Sequence, residues 1–294
     1  MAILPHDQLE GMIWMNGELK PWADAKFHVL THGLHYASCV FEGERAYNGQ
    51  IFESEQHTSR LFNSARVLDF EIPFTEGEIN KAKYAVLNAN KLVDAYVRPV
   101  AWRGSEMMGV SAQANTINVA VAAWEWPSYF DPEARMKGIR LQIAKWRRPD
   151  PMCAPVISKA AGLYMICTLS KHAAEKEGYD DALMLDWRGQ VAECTGANVF
   201  LVIDGEIHTP IPDCFLDGIT RRTAIEMAKA RGYKVIERVI MPEDLAKAQE
   251  FFITGTAAEI TGVSEIDDYR FTVGEITQNL MADYDAAVRM KKAA

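Results

Sequence analysis

The chain has 294 residues, 49% hydrophobic and 24% charged, the balance of a globular protein that can bury a sizeable core. A formal charge of −9 argues against a nucleic-acid or acidic-membrane partner. Five scattered cysteines (Cys39, Cys153, Cys167, Cys194, Cys214) without a C-x-x-C pair point to neither a disulfide framework nor a metal site, and fit a cytoplasmic protein.

The opening residues, Met1-Ala2-Ile3-Leu4-Pro5-His6-Asp7, carry no basic stretch or long apolar core, so neither a signal peptide nor a membrane span is expected. Met12–Met15, Asn16-Gly17 and Glu18–Lys20 read as a hairpin with a favoured turn pair. A second hairpin is expected from a strand Val40–Tyr47, the turn Asn48-Gly49 and Gln50–Phe52. Ser54 is placed as the N-cap of a helix with Leu61, Ala65 and Leu68 on one face, and another helix covers about Thr75 to Asn90. Strands return at Tyr96–Arg103 and Thr116–Trp126, the second alternating with Ile117, Val119 and Val121 on one side.

The pattern breaks at Pro127-Ser128-Tyr129-Phe130-Asp131-Pro132, so a small N-terminal domain is expected over 1–127, a linker over 128–138 and a larger C-terminal domain over 139–294. Lys145-Trp146-Arg147-Arg148, followed by Pro149, reads as a turn. Beyond it come a helix over Gly162–Lys176, strands at Asp181–Asp186 and Asn198–Ile203, the turn Asp204-Gly205, and a helix over Ile219–Ala230 closed by Gly232. Phe251–Thr254 is a short buried strand, and the stretch from Gly274 is an amphipathic helix. This mixed order of elements predicts an α+β fold rather than a doubly wound sheet.

The segment Ala154-Pro155-Val156-Ile157-Ser158-Lys159-Ala160-Ala161-Gly162-Leu163-Tyr164 sets a lysine among small and apolar residues. Desolvation favours the neutral amine, a nucleophile that forms a Schiff base with an aldehyde such as pyridoxal phosphate. That cofactor also needs an acid beside its pyridine nitrogen and an anion site for its phosphate. Glu193, at the end of a buried strand, answers the first need, with pairing to a neighbouring arginine as the plain alternative. For the phosphate, Asp217-Gly218-Ile219-Thr220-Arg221 offers a glycine, a hydroxyl and a helix N-terminus. Gly255-Thr256-Ala257 exposes N–H groups after a strand, and Arg60 lies beside the apolar face of its helix. Tyr96 and Arg98 share one face of a strand, and with Trp126 and Tyr129 they form a carboxylate-reading pocket.

These motifs resemble those of the branched-chain amino-acid aminotransferases, fold type IV enzymes of pyridoxal phosphate. The matching segments run over nearly the whole chain: Gly33–Tyr36, Val40–Gly43, Arg60-Leu61, Tyr96–Pro99, Met108–Val110, Lys159 with Tyr164, Glu193, Gly218–Arg221 and Gly255–Glu259. The resemblance implies two domains with the cofactor at their interface, and Lys159 as the catalytic base that also holds the cofactor. It implies that Tyr164 bonds the cofactor's phenolic oxygen and that Glu193 pairs with its nitrogen. Arg60, Gly218, Ile219, Thr220 and Thr256 would hold the phosphate, with Leu216 against the ring. Phe41, Gly43, Trp126 and Tyr129 would shape the side-chain pocket, completed by Tyr36 of a neighbouring subunit. Thr256, Ala257 and Tyr96 would take the α-carboxylate of the substrate, and Arg98 the distal carboxylate of glutamate.

The implied reaction moves the amino group of L-leucine, L-isoleucine or L-valine to 2-oxoglutarate by a ping-pong route, in a homo-oligomer that is a dimer at least, or a hexamer. D-amino-acid and (R)-amine transaminases of the same fold are the alternatives. Glu44, Cys194-Thr195 and Ala197 depart from what relatives commonly carry.

Overall fold

The computed structural model describes residues 5–126 and 132–289. The chain divides into two compact units, Met1–Pro127 with Ser158–Gly162, and Ser128–Ile157 with Leu163–Ala294. The Lys159 segment, expected in the C-terminal domain, thus belongs to the first unit. Within the expected linker, Pro132–Lys137 is helical.

The first unit is built on a seven-stranded sheet. Its central strand, Ala95–Arg103, pairs antiparallel with Ile117–Glu125 on one side and with Cys39–Phe41 and Glu44–Tyr47 on the other. The hairpin Met12–Met15 with Glu18–Pro21 continues the sheet from Ile117–Glu125. Asn16 and Gly17, and likewise Asn48 and Gly49, take positive φ, the geometry such turns require. Helices Ser54–Val67 and Glu76–Ala89 cover one face, where Leu61, Ala65, Ile79 and Val86 meet Val97, Ala101, Val119 and Val121. Each fully buried leucine, isoleucine or valine among these stabilises the unit by about 1.5–3 kcal/mol. Because strand side chains alternate, the same register turns Tyr96 and Arg98 to the opposite face.

Two local expectations are corrected. Val40–Tyr47 is not one strand: it breaks at Glu42-Gly43, opposite Pro99. Glu42 N–H donates to the Pro99 carbonyl at 2.8 Å, but proline has no N–H to return, so the ladder is interrupted there. Ser54 is the first helical residue rather than the cap; Glu53 is the cap, with φ 51, and the Ser54 hydroxyl donates to Asn80 instead. Thr75 does cap the next helix, in a reciprocal pair with Glu78.

The second unit carries a nine-stranded mixed sheet. Strand Val191–Cys194 pairs with both Asp181–Leu185 and Asn198–Ile203, so six strands close into a ring that runs through Ile139–Ile143, Glu259–Ile266 and Glu250–Gly255. Leu141, Leu183, Val199, Leu201, Phe251 and Val263 fill its core. Helices Met165–Lys176, Ile219–Ala230 and Glu275–Arg289 lie near their expected positions. After Gly255, Thr256, Ala257 and Ala258 form the loop of a hairpin closed by the pair Gly255 and Glu259. Among the described residues, no helix is long and apolar enough to cross a membrane.

Candidate active site

In the first unit, the break at Glu42-Gly43 is what builds the site. Gly43 lets the Tyr96 phenol lie directly against the backbone, since a Cβ there would stand 2.0 Å from Tyr96 Oη. Arg98 Nη2 donates to that same Oη at 3.0 Å, and its guanidinium carbon lies 4.6 Å from the centre of the Phe41 ring. The Lys159 ammonium approaches the Phe41 ring at 5.3 Å. Two backbone contacts fix the lysine segment: Phe41 N–H donates to the Lys159 carbonyl at 3.2 Å, and Lys159 N–H donates to Ser64 Oγ at 3.0 Å. Trp124 and Trp126 flank Tyr96, each ring 5.2 Å away. Phe41, Gly43, Tyr96, Arg98, Trp126 and Lys159, singled out from the sequence, are therefore one cluster. The field of Arg98 reaches Cys39, whose thiol burial nevertheless pushes up to about 11.

Arg60 stands behind Gly43, forked on the fully buried Glu42 through Nε at 2.6 Å and Nη2 at 2.9 Å. His57 Nδ1 lies 2.7 Å from the same carboxylate. Nothing in the sequence reading marked Glu42 or His57 for this role; the spacing of His57 and Arg60 on one helix face was the available signal. Tyr36 ends the short helix His32–Tyr36, stacked on His32 and 47% exposed. Tyr129 lies outside the described residues.

In the second unit, Glu193, Asn198 and Thr254 form a row across three strands, Glu193 paired with Asn198 and Asn198 with Thr254. Asn198 organises what surrounds it. Its Nδ2 donates to the Leu216 carbonyl at 3.0 Å, and a Cβ on Gly218 would stand 2.1 Å from its Oδ1. Gly218 caps the Ile219–Ala230 helix without any side-chain bond, leaving the first-turn N–H groups of Ile219 and Thr220 as donors at a positive helix end. Gly255 approaches the same strand: a Cβ on it would meet the Gly196 carbonyl at 3.1 Å and the Ala197 methyl at 3.4 Å. Asn198 thus holds the Leu216 carbonyl and abuts Gly218, the residue that leads into Ile219 and Thr220, while its strand partner Thr254 leads through Gly255 to Thr256 and Ala257. Arg221 turns away, buried between Asp217 at 2.8 Å and Glu237 at 2.6 Å.

Glu193 is half-buried, and Arg148 Nε lies 3.3 Å from its Oε1. Arg148, read from the sequence as part of a turn, is in fact buried, its N–H donating to the Leu185 carbonyl at 2.8 Å. Burial opposes the Arg148 charge, but the fields of Glu193, Cys167 and Tyr164 more than offset it and raise its pKa. Tyr164 thus belongs to the neighbourhood of Arg148 and Glu193.

Residues 39–266 match the family described as amino-transferase class IV. A probable branched-chain-amino-acid aminotransferase of Rickettsia felis is 41% identical over 293 residues, covering 98% of this chain and all of that protein. The branched-chain amino acid aminotransferase of T.th. superposes with a TM-score of 0.93 in its structure with pyridoxamine 5'-phosphate, at 41% identity and with 96% of each chain covered. In its complex with N-(5'-phosphopyridoxyl)-L-glutamate the TM-score is 0.91, at 41% identity, covering 96% of this chain and 95% of that one. The chain is a class IV aminotransferase and belongs, within that class, to the branched-chain amino-acid aminotransferases. The α+β fold expected from the sequence is the fold of these relatives.

Proposed function

We propose that the protein transfers the amino group of L-leucine, L-isoleucine or L-valine to 2-oxoglutarate, using pyridoxal phosphate held by the residues described above. The observation that carries this reading is the Lys159, Phe41, Gly43, Tyr96 and Arg98 cluster, which sets an amine nucleophile beside an apolar wall with a guanidinium on it. The second unit fits the cofactor by its donor set: uncapped helix N–H groups and a small-residue turn suit a phosphate, and a carboxylate backed by arginine suits a protonated pyridine. Bound, the cofactor supplies an aldehyde and an electron-withdrawing ring.

The chain's own residues then divide the work. Lys159 Nζ would bind the aldehyde carbon in the resting enzyme; once the substrate amine displaces it, the freed amine would carry the proton from the substrate Cα to the former aldehyde carbon in the first half-reaction, and in the opposite direction in the second. Glu193, steadied by Arg148, keeps the pyridine nitrogen protonated, and Tyr164 donates to the phenolic oxygen. Arg60 and the N–H groups of Ile219, Thr220 and Thr256 hold the phosphate, with Gly218 giving it room and Leu216 packing on the ring. Tyr96 Oη with Thr256 and Ala257 reads the α-carboxylate. Phe41, Gly43 and Trp126, joined by Tyr129, form the side-chain wall. Arg98 pairs with the distal carboxylate of glutamate. Because that guanidinium already rests on Phe41 and Tyr96, it tolerates an aliphatic side chain as well. Substrates enter in turn, in a ping-pong cycle. The working form is a homo-oligomer in which Tyr36 completes a neighbouring site, and the expected domains 1–127 and 139–294 are the two functional parts.

The test is the visible spectrum of the holoenzyme titrated with L-leucine, then with 2-oxoglutarate, with D-alanine as control. Loss of the visible band with L-leucine and its return with 2-oxoglutarate is the expected result. A response to D-alanine alone overturns the substrate reading, and turnover retained by Lys159→Ala overturns the role of Lys159.

A further inference from the structure

The hairpin that presents Thr256 and Ala257 closes on a residue in an unusual conformation. Glu259 has φ 54, a left-handed position that a three-residue hairpin loop usually gives to glycine. It is also 4% exposed, so its carboxylate sits where an unpaired charge is costly. Arg135, on the Pro132–Lys137 helix and itself buried, meets both needs. Its Nη1 lies 3.0 Å from Glu259 Oε2, while Nη2 donates to the Ile260 carbonyl at 3.0 Å and reaches Asp285 Oδ1 at 3.4 Å. One guanidinium therefore grips the side chain of residue 259 and the main chain of residue 260. On the inner side, Thr261 Oγ1 donates to the Ala258 carbonyl at 2.6 Å. A glycine at 259 would ease the backbone but leave the loop more conformers to choose from.

We infer that Arg135 and Glu259 are positioning residues: the pair fixes the hairpin so that the N–H groups of Thr256 and Ala257 are aimed at the anions they bind. The inference rests on the proposed role of that hairpin in holding phosphate and substrate carboxylate. A pair that merely attaches the helix to the strand would affect stability and nothing else.

The double variant Arg135→Met with Glu259→Gly separates these roles, because it removes both buried charges together and puts glycine at the left-handed position. With the holoenzyme, the expected result is a KM for L-leucine and a Ki for 4-methylvaleric acid raised roughly tenfold, with kcat changed far less. Cofactor release on dialysis should also quicken. A folded double variant with wild-type KM, Ki and cofactor retention overturns the inference, whatever happens to its melting temperature. Should the double variant not fold, Arg135→Lys, which keeps the charge but loses the two-pronged grip, is measured the same way and judged by the same outcomes. If the wild-type enzyme itself fails to turn over L-leucine, the proposed function is what has failed. The inference is then decided by cofactor retention alone: faster release from the variant supports it, and unchanged release overturns it.

Discussion

The Glu42 carboxylate accepts the Nε–H and Nη2–H of Arg60 at 2.6 and 2.9 Å, a fork-to-fork pair with no solvent exposure on the glutamate. Burial alone would push Glu42 up, but Arg60 and His57 more than reverse it and hold the carboxyl well below the usual range. Burial pushes His57 down to about 4 against the pull of Glu42, so the ring is neutral and its hydrogen sits on Nδ1, donated to Glu42. In the unfolded chain His57 takes up a proton near pH 6.5, whereas the folded chain refuses it until about 4. Between those values the unfolded state binds more protons, so stability falls as pH falls. Glu42 acts in the same direction at lower pH, its contribution being lost as pH drops below the usual carboxylate value. Urea unfolding at pH 7 and pH 5 should show a loss of roughly 2 kcal/mol attributable to His57. His57→Gln should flatten that dependence; an identical pH slope in the variant would remove His57 from the account.

Gly43 admits Tyr96 at a distance no side chain could share. A methyl at 43 would lie 2.0 Å from Tyr96 Oη and 2.9 Å from Cζ, and the ring is hemmed in by Trp124 and Trp126. Gly43→Ala must therefore displace the phenol and break its bond from Arg98. We expect a KM for 2-oxoglutarate raised about tenfold or more, with a smaller rise for L-leucine, because a displacement near 1 Å is costly at a carboxylate-reading group. Steady-state kinetics with both substrates checks this. An unchanged 2-oxoglutarate KM would mean that Tyr96 does not read the α-carboxylate and Arg98 does not read the distal one.

What the sequence revealed follows from which signals are local. Asn16-Gly17, Asn48-Gly49 and Asp204-Gly205 were legible as turns because both residues of each pair must take positive φ, and all six do. Tyr96 and Arg98 were legible as neighbours because a strand repeats every two residues. Arg148 was not, since a basic cluster before a proline reads as surface, and only the pairing of its backbone with Leu185 carries it inward to Glu193. Asn198 was not legible for a related reason: beyond its strand neighbour Glu193, its importance lies in two partners remote in sequence, Leu216 and Gly218. The break at Glu42-Gly43 depended on Pro99, whose missing N–H matters only once the strands are paired. The hairpin at Gly255 could not be told from a helix start, because small residues serve both.

Glu44, singled out in the sequence, has a buried partner. Lys83 Nζ lies 2.7 Å from Glu44 Oε1 and donates to Thr58 Oγ1 at 2.6 Å and to the Ser54 carbonyl at 3.1 Å, with neither charged side chain exposed. Burial pushes the Glu44 carboxyl up, and the field and hydrogen bond of Lys83 oppose it. A pair of this kind is costly to break and cheap to replace whole: removing one member leaves an uncompensated buried charge, whereas removing both leaves an apolar contact. Glu44→Leu should cost about 3–5 kcal/mol, since the Lys83 ammonium then keeps only neutral acceptors. Lys83→Met should cost less, because the Glu44 carboxyl can take up a proton and donate to Thr58 or Asn80. The double variant should recover most of the loss and fall within about 1 kcal/mol of wild type. Urea unfolding of the four proteins gives the coupling energy directly. If the two single losses simply add in the double variant, Lys83 does not compensate for the acid at position 44.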